Sequence, residues 1–393
     1  MTECRLCQES EVDCLIDFGL QPVVRHLLGS PDEVCPKFPF EVGVCPRCGL
    51  IQILNPIPPE HLYGNYHFSG WKHQPHVQRL IEVAQSLTGI DPESELLEIG
   101  CNDGSFIRSL NDAGFKNCVG IEPATDAFVV AKENGFKVYN EFFPSSGSEI
   151  SNREGFFNAV ICRQVLEHIV DPNAFLSGVY RCLKDEGTLV LEIPDASWHI
   201  DYVDYALWEE HVNYFTMETA RALLMKNGFR VLHHETTLFS GKALILVAIK
   251  DQSANPYFDK NSLSGIYAWA AKWTPFRSRA REFFHEWESV VIYGCGNRSS
   301  TFVNFCELGN IKAFIDDQEE KQGLFLPGSG IEIREWRDCA KETPILFGVN
   351  TENESKIIQR RKLSKKSCFS ILPPSRYLPK FWYQSASGIG TDL

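Results

Sequence analysis

The residues best equipped for chemistry begin with cysteine. Cys4-Arg-Leu-Cys7 and Cys45-Pro-Arg-Cys48 are two CxxC knuckles, each able to present two thiolates to one ion. Four thiolates complete a tetrahedral Zn2+ site with Zn–S bonds of about 2.3 Å and leave no position for water, so such a metal is structural rather than catalytic. Gly49 after Cys48 suits the tight turn of a knuckle. Cys14 and Cys35 lie between the knuckles without that spacing. A redox dithiol or a chance pair is the competing reading of CxxC. The stretch between the knuckles is rich in proline and short apolar runs, as expected of a small module that relies on its metal.

A second constellation starts at Glu95-Leu-Leu-Glu98-Ile-Gly100-Cys-Asn102-Asp103-Gly104, which reads as a buried strand entering a glycine-bearing turn and then a helix. Such a turn lets backbone approach a ligand at the carboxyl end of the strand. Cys118-Val-Gly-Ile-Glu122 is a further short strand, ending in an acid about 20 residues downstream, where a Rossmann-type site holds ribose hydroxyls. The turn has no third glycine at the pyrophosphate position, which disfavours NAD or FAD. It is similar instead to the class I methyltransferase motif Glu/Asp-x-Gly-x-x-x-Gly, with Asn102 at a position that tolerates positive φ. Ala159-Val-Ile-Cys162 and the following Arg-Gln164-Val-Leu-Glu-His168 are similar to the strand of that class that ends beside the transferred methyl. The similarity implies S-adenosylmethionine as cofactor, held by Glu98, Gly100, Asn102, Asp103, Gly104, Glu122, Pro123 and Gln164.

The elements that position these residues alternate. Strands are expected at 157–162, 187–193 and 244–249, with helices from Asp171 and over 217–227, the latter ended by Gly228. From about Asn255 the pattern restarts. The stretch 262–287 reads as helix interrupted near Pro275, and Val290-Val-Ile-Tyr293 as a strand entering Gly294-Cys-Gly296-Asn297-Arg298-Ser299-Ser300. A helix from Ser299, a strand at 311–315 and the acids Asp316 and Asp317 complete a second βαβ unit, whose helix N-terminus, serines and Arg298 suit a pyrophosphate or carboxylate. The expected fold is α/β: a class I methyltransferase Rossmann-like domain with an N-terminal zinc module and a C-terminal Rossmann-like domain. The expected boundaries are 1–70, 71–252 and 253–393. Pro373-Pro374 begins a loosely held tail.

With these elements in order, the chain resembles the zinc-containing sugar C-methyltransferases of deoxysugar biosynthesis. The carriers are the two knuckles, Leu62-Tyr-Gly-Asn-Tyr66-His-Phe-Ser69, the Gly100–Gly104 turn, Glu122-Pro123, Trp208-Glu-Glu210-His211-Val-Asn-Tyr-Phe215, Gly294–Ser300 and Lys321-Gln-Gly323. The resemblance implies methylation of a carbon beside the keto group of a dTDP-linked hexose. That reaction needs a base for the α-proton, a donor for the enolate oxygen and a methyl held in line. His211 is the expected base and Glu210 its orienting or sugar-binding partner. Tyr66 and His168 are the expected donors, and Trp208, Lys242, Asn297, Arg298 and Ser299 the substrate contacts. Two departures bear on the substrate. Trp208 stands where the family usually has tyrosine, and Phe239-Ser-Gly-Lys242 replaces a His-Gly-Gly segment followed by arginine.

Composition bounds the alternatives. A chain of 393 residues exceeds what one core serves, and a formal net charge of −13 disfavours a large nucleic-acid face. No apolar run spans a bilayer and the N-terminus lacks a signal pattern, so a cytoplasmic protein is expected. The expected partner is a small molecule, a nucleotide-sugar, with no nucleic acid and no membrane, in a monomer or dimer. Competing readings are O- or N-methylation, C-methylation of another small molecule, and a non-catalytic scaffold. Intact Glu98, Gly100, Gly104, Glu122, Glu210 and His211 speak against the scaffold.

Overall fold

The computed structural model describes residues 2–9, 11–63, 76–87, 89–150, 152–238, 241–251, 263–338, 344–349, 351–364 and 367–371. Tyr66, Phe239, Ser240 and the boundaries expected at 70/71 and 252/253 lie outside the described residues. In chain order the N-terminal region carries β1 (Asp13–Pro22), β2 (Lys37–Val44), β3 (Ile51–Ile53) and α1 (Pro59–Tyr63). Then come α2 (Val77–Leu87), β4 (Glu95–Ile99), α3 (Ser105–Asp112), β5 (Asn117–Ile121), α4 (Thr125–Glu133), β6 (Val138–Tyr139) and β7 (Phe157–Arg163). They are followed by α5 (Pro172–Cys182), β8 (Leu183–Pro194), α6 (Ser197–Asp201), β9 (Asn213–Tyr214), α7 (Met217–Lys226), β10 (Phe229–Leu238) and β11 (Lys242–Lys250). The C-terminal region holds α8 (Leu263–Ala271), α9 (Trp273–His285), β12 (Val290–Tyr293), α10 (Asn297–Cys306) and β13 (Ile311–Ile315). It ends with β14 (Ile333–Arg334), β15 (Ile345–Phe347), α11 (Thr351–Arg361) and β16 (Cys368–Ser370).

The chain divides into two compact units. The first comprises Met1–Asp13, Gly43–Ser197 and His211–Leu263, the second Cys14–Val42, Trp198–Glu210 and Ser264–Leu393. The first is built on a seven-stranded sheet of order β10-β11-β8-β7-β4-β5-β6. β4 to β8 run parallel, and β11 lies antiparallel to both β8 and β10. The central strands are apolar on both faces because helices cover both. Leu97, Ile99, Val160, Cys162, Leu189, Leu191, Leu244 and Leu246 face one core, while Leu96, Ala159, Ile161, Val190, Ile245 and Val247 face the other. The strand at 244–249 therefore lies inside the sheet, one place in from β10. β10 escaped the sequence reading: its residues alternate between exposed Arg230, Leu232, His234 and Thr236 and inward-turned Val231, His233 and Glu235, as in an edge strand with one wet face. Helix starts follow local chemistry. Asp171 caps α5, accepting from Ala174 N–H at 2.9 Å with Pro172 in the first turn, and Thr216 and Thr219 form a reciprocal capping box on α7.

The second unit holds a wholly parallel sheet of order β14-β13-β12-β15-β16. Its helical stretch breaks at Lys272, before Pro275, which sits in the first turn of α9 where its missing N–H is harmless. Cys14–Val42, most of the segment between the cysteine knuckles, belongs to this unit. Phe18 stacks on Phe305 with centroids 4.1 Å apart and leans on Trp273 at 4.6 Å, and Leu28 and Phe325 exchange backbone hydrogen bonds of 2.9 Å.

Candidate active site and metal centre

The four knuckle cysteines converge in the first unit. Cys4 Sγ lies 3.5 Å from Cys48 Sγ and Cys7 Sγ 3.6 Å from Cys45 Sγ, and all four sulfurs fall within 4.8 Å of one another. Those separations exceed a disulfide bond and match the edges of a tetrahedron with Zn–S of about 2.3 Å. Hydrogen bonding to Cys45 and burial push Cys4 up to about 12, so the cluster cannot hold four charges without a cation. The donor set thus fits zinc, which would supply that charge and crosslink the knuckles. The module is also tied to the elements around the seven-stranded sheet. Asn173 Nδ2 donates to Arg5 O at 2.6 Å and Lys226 Nζ to Leu6 O at 2.8 Å. Arg5, between the two ligands of its knuckle, donates to Val212 O at 3.0 Å and Ile53 O at 2.8 Å. Val212 O also accepts from Ile53 N–H at 3.0 Å, and β3 pairs with β9 just beyond. Burial lowers Arg5 to about 10, so the guanidinium remains charged at neutral pH. The knuckle therefore grips the residue that follows His211.

The donor turn opens at the carboxyl end of β4, where the sheet order changes direction between β5 and β7. Gly100 and Gly104 have φ of 75° and 76°. A Cβ at Gly100 would collide with Val165 and one at Gly104 with Phe136, so both positions need glycine on two counts. Asn102 takes φ 52°, as its type suggested, and Gln164 at the end of β7 takes the same φ. Glu122 Oε2 accepts from Asn102 N–H at 2.9 Å and its Oε1 from Ala124 N–H at 2.8 Å, which fastens the turn to the end of β5. Asp103 Oδ1 accepts from Ser105 N–H at 3.1 Å at the start of α3, and Pro123 O accepts from Asn140 Nδ2 at 3.1 Å. Burial raises Glu122 despite its two N–H donors, and pushes Glu98 up to about 8 although Arg163 opposes this. Glu98 Oε2 and Gln164 Nε2 are buried with no hydrogen-bond partner among the described residues. A buried acid and amide lacking partners, beside a glycine turn with no room for side chains, fit the cationic amino acid end of S-adenosylmethionine. When bound, the cofactor supplies an electrophilic methyl on a sulfonium.

Sequence reasoning missed the support below this turn. Arg163 and Glu192 are opposite one another on β7 and β8 and pair at 3.0 Å, and His76 reaches Glu192 at 2.9 Å. Burial opposes the charge on Glu192, but His76 and Arg163 outweigh it and hold the carboxyl below its usual range. Two charged residues inside otherwise apolar strands were the available signal. His168 closes the one-turn 3-10 helix Leu166–His168, and its ring meets that of His211 edge to face with centroids 4.8 Å apart. Glu167, also missed, lies beside both rings. Lys242 Nζ pairs with the buried carboxylate of Asp195 at 3.0 Å, across the β8 and β11 ends.

The remaining site residues lie in the second unit, whose boundary falls between Glu210 and His211. Glu209 accepts from Val24 N–H at 2.8 Å, and Arg25 pairs with Glu210 at 3.2 Å while lying 5.2 Å from the centre of the Trp208 ring. Burial, aided by its acidic neighbour, pushes Glu209 up to about 8. Burial likewise pushes Glu210 to about 7 against the pull of Arg25. Arg298 donates to the buried Asp204 at 2.8 Å. Burial opposes the charge on Asp204, but Arg298 and His199 lower it to about 2. Ser299 is fully buried, its hydroxyl donating to Gly294 O at 2.7 Å and accepting from Gly296 N–H at 3.1 Å. Asn297 opens α10.

Family models match in sequence along the chain: a zinc binding domain over residues 4–63, a methyltransferase domain over 71–234 and a C-methyltransferase C-terminal domain over 268–364. C-methyltransferase NovU of Streptomyces niveus is 27% identical over 369 residues, 87% of each chain. A ubiquinone biosynthesis O-methyltransferase of Colwellia psychrerythraea is 27% identical over 116 residues, 27% of this chain and 46% of that protein. The crystal structure of an S-adenosylmethionine dependent methyltransferase from Mesorhizobium loti matches 46% of this chain and 99% of its own at 13% identity, with a TM-score of 0.37. Site and fold together define an S-adenosylmethionine-dependent methyltransferase of class I with a structural zinc module. More narrowly, the three matches in order and the likeness to C-methyltransferase NovU support a zinc-containing C-methyltransferase family. No helix among the described residues is long and apolar enough to cross a membrane.

Proposed function

We propose that this enzyme methylates the carbon next to the keto group of a nucleotide-linked deoxyhexose, a dTDP-sugar, through an enolate and in the cytoplasm. The observation that carries the reading is the His168–His211 pair, placed after β7 at the end of the sheet where the donor turn lies. An imidazole takes a proton at neutral pH, and a second ring 4.8 Å away can donate to the oxygen on which charge develops. In this reading His211 removes the α-proton, and His168 with Tyr66 holds the enolate oxygen. By resemblance Glu210, Trp208, Lys242, Asn297 and Arg298 are the proposed sugar contacts, whereas the buried Ser299 hydroxyl is spent on its own turn. The likeness to a C-methyltransferase over 87% of both chains supports carbon as the acceptor.

The test is proton exchange next to the carbonyl of a dTDP-keto-hexose in deuterated water. Wild-type enzyme exchanges that proton, and His211→Ala slows exchange by about 100-fold or more. Methyl transfer to a hydroxyl, with no exchange in the wild type, overturns the enolate reading and leaves the donor site in place.

A further inference from the structure

Glu167, His168 and His211 form a group that the reading above uses only in part. Glu167 and His168 sit in the 3-10 turn after β7, and His211 lies just before β9. One carboxylate oxygen and one nitrogen from each ring fall within 4.8 Å of one another. Glu167 is 1% exposed, and neither of its oxygens accepts a hydrogen bond from another of the described residues. A carboxylate buried in this way calls for donors or a counter-ion. Arg163, on the preceding strand, is already engaged by Glu192.

We propose that these three side chains bind one divalent transition ion, such as Mn2+ or Zn2+, at a second centre different in kind from the four-cysteine one. Two imidazoles and a carboxylate suit Mn2+, Fe2+, Co2+ and Zn2+, whereas four thiolates select zinc. Ligand atoms about 2.1 Å from a tetrahedral ion lie about 3.4 Å apart, so modest side-chain rotations draw this group onto a metal. Three protein ligands leave at least one position open to water, unlike the closed four-cysteine site. The effect on turnover rests on the assignment of His211 as base. An imidazole bound through one nitrogen carries its proton on the other and has no lone pair left for a carbon acid. Occupancy by the ion therefore silences enolisation.

The test titrates zinc-replete, full-length protein with Mn2+ and follows the free-ion signal by electron paramagnetic resonance. One equivalent is taken up by the wild type. Affinity falls at least about tenfold in Glu167→Gln and in His168→Ala, while zinc content by elemental analysis stays constant. Equal uptake in all three proteins, or none at millimolar Mn2+, overturns the site. In the same samples Mn2+ slows substrate proton exchange in the wild type, and in Glu167→Gln only at higher concentration. Uptake without slowing upholds the site and overturns His211 as base, and uptake that accelerates exchange overturns the inhibitory role.

Discussion

The turn after β4 and the turn after β12 solve one backbone problem with one device. In each, the acid that ends the next strand reaches back to a turn N–H: Glu122 to Asn102 at 2.9 Å, Asp316 to Cys295 at 2.8 Å. What surrounds the acid differs. Asp316 has Lys321 Nζ at 3.5 Å, and the same ammonium donates to Cys295 O at 2.9 Å, so this turn carries its own cation. Among the described residues no cation pairs with Glu122, and the neighbouring Glu98, which burial holds near 8 against the pull of Arg163, keeps an unpartnered oxygen. A strand-end acid therefore does not by itself define a ligand site. The missing countercharge at Glu122 sets the two turns apart, and it suits the proposed binding of a cationic donor at the first.

The sharpest way to break this contrast is a matched pair of charge removals. Glu122→Gln is expected to weaken S-adenosylmethionine binding by about 10- to 100-fold in titration calorimetry, whereas Asp316→Asn leaves it unchanged. Equal effects would erase the distinction between the turns. A smaller effect concerns protons. Burial holds Glu98 near 8, above its usual 4.5, so the ligand-free fold binds more protons than the unfolded chain and loses stability as pH rises between those values. A bound cation favours the ionised form, so donor binding expels a proton and tightens as pH climbs toward 8. Calorimetry in buffers of differing ionisation heat is expected to show release approaching one proton near neutral pH, lost in Glu98→Gln. No buffer dependence in the wild type would sink this account. The smallest change is expected from Lys321→Met, which strips the second turn of its cation. The melting temperature falls by a few degrees, for about 1 kcal/mol of a partly exposed pair, with donor affinity unaltered.

The sequence disclosed what is encoded locally. Cys4, Cys7, Cys45 and Cys48 are legible because ligand spacing within a knuckle is a short-range property, and Asn102 because few non-glycine side chains accept its backbone angle. Distance in the chain hid the rest. Arg25 meets Glu210 across 185 positions and carries no motif of its own. Ser299 illustrates a different ambiguity: a hydroxyl that fastens its own turn looks, in sequence, the same as one offered to a ligand. β10 was missed because its half-wet alternation is weaker than the apolar runs beside it. Lys321 stood inside a recognised motif, yet only the folded turn shows which charge it answers.

With His211 as the proposed base, Arg5 would make the cysteine module a gauge for a reaction it never enters. Because its guanidinium clasps the carbonyl next in chain to His211, ejecting the zinc slackens the ruler before the protein melts. Chelation under mild conditions should therefore degrade proton abstraction first, with S-adenosylmethionine affinity persisting and Arg5→Ala reproducing the defect in zinc-loaded protein. Simultaneous loss of both would mean that the module merely holds the chain together.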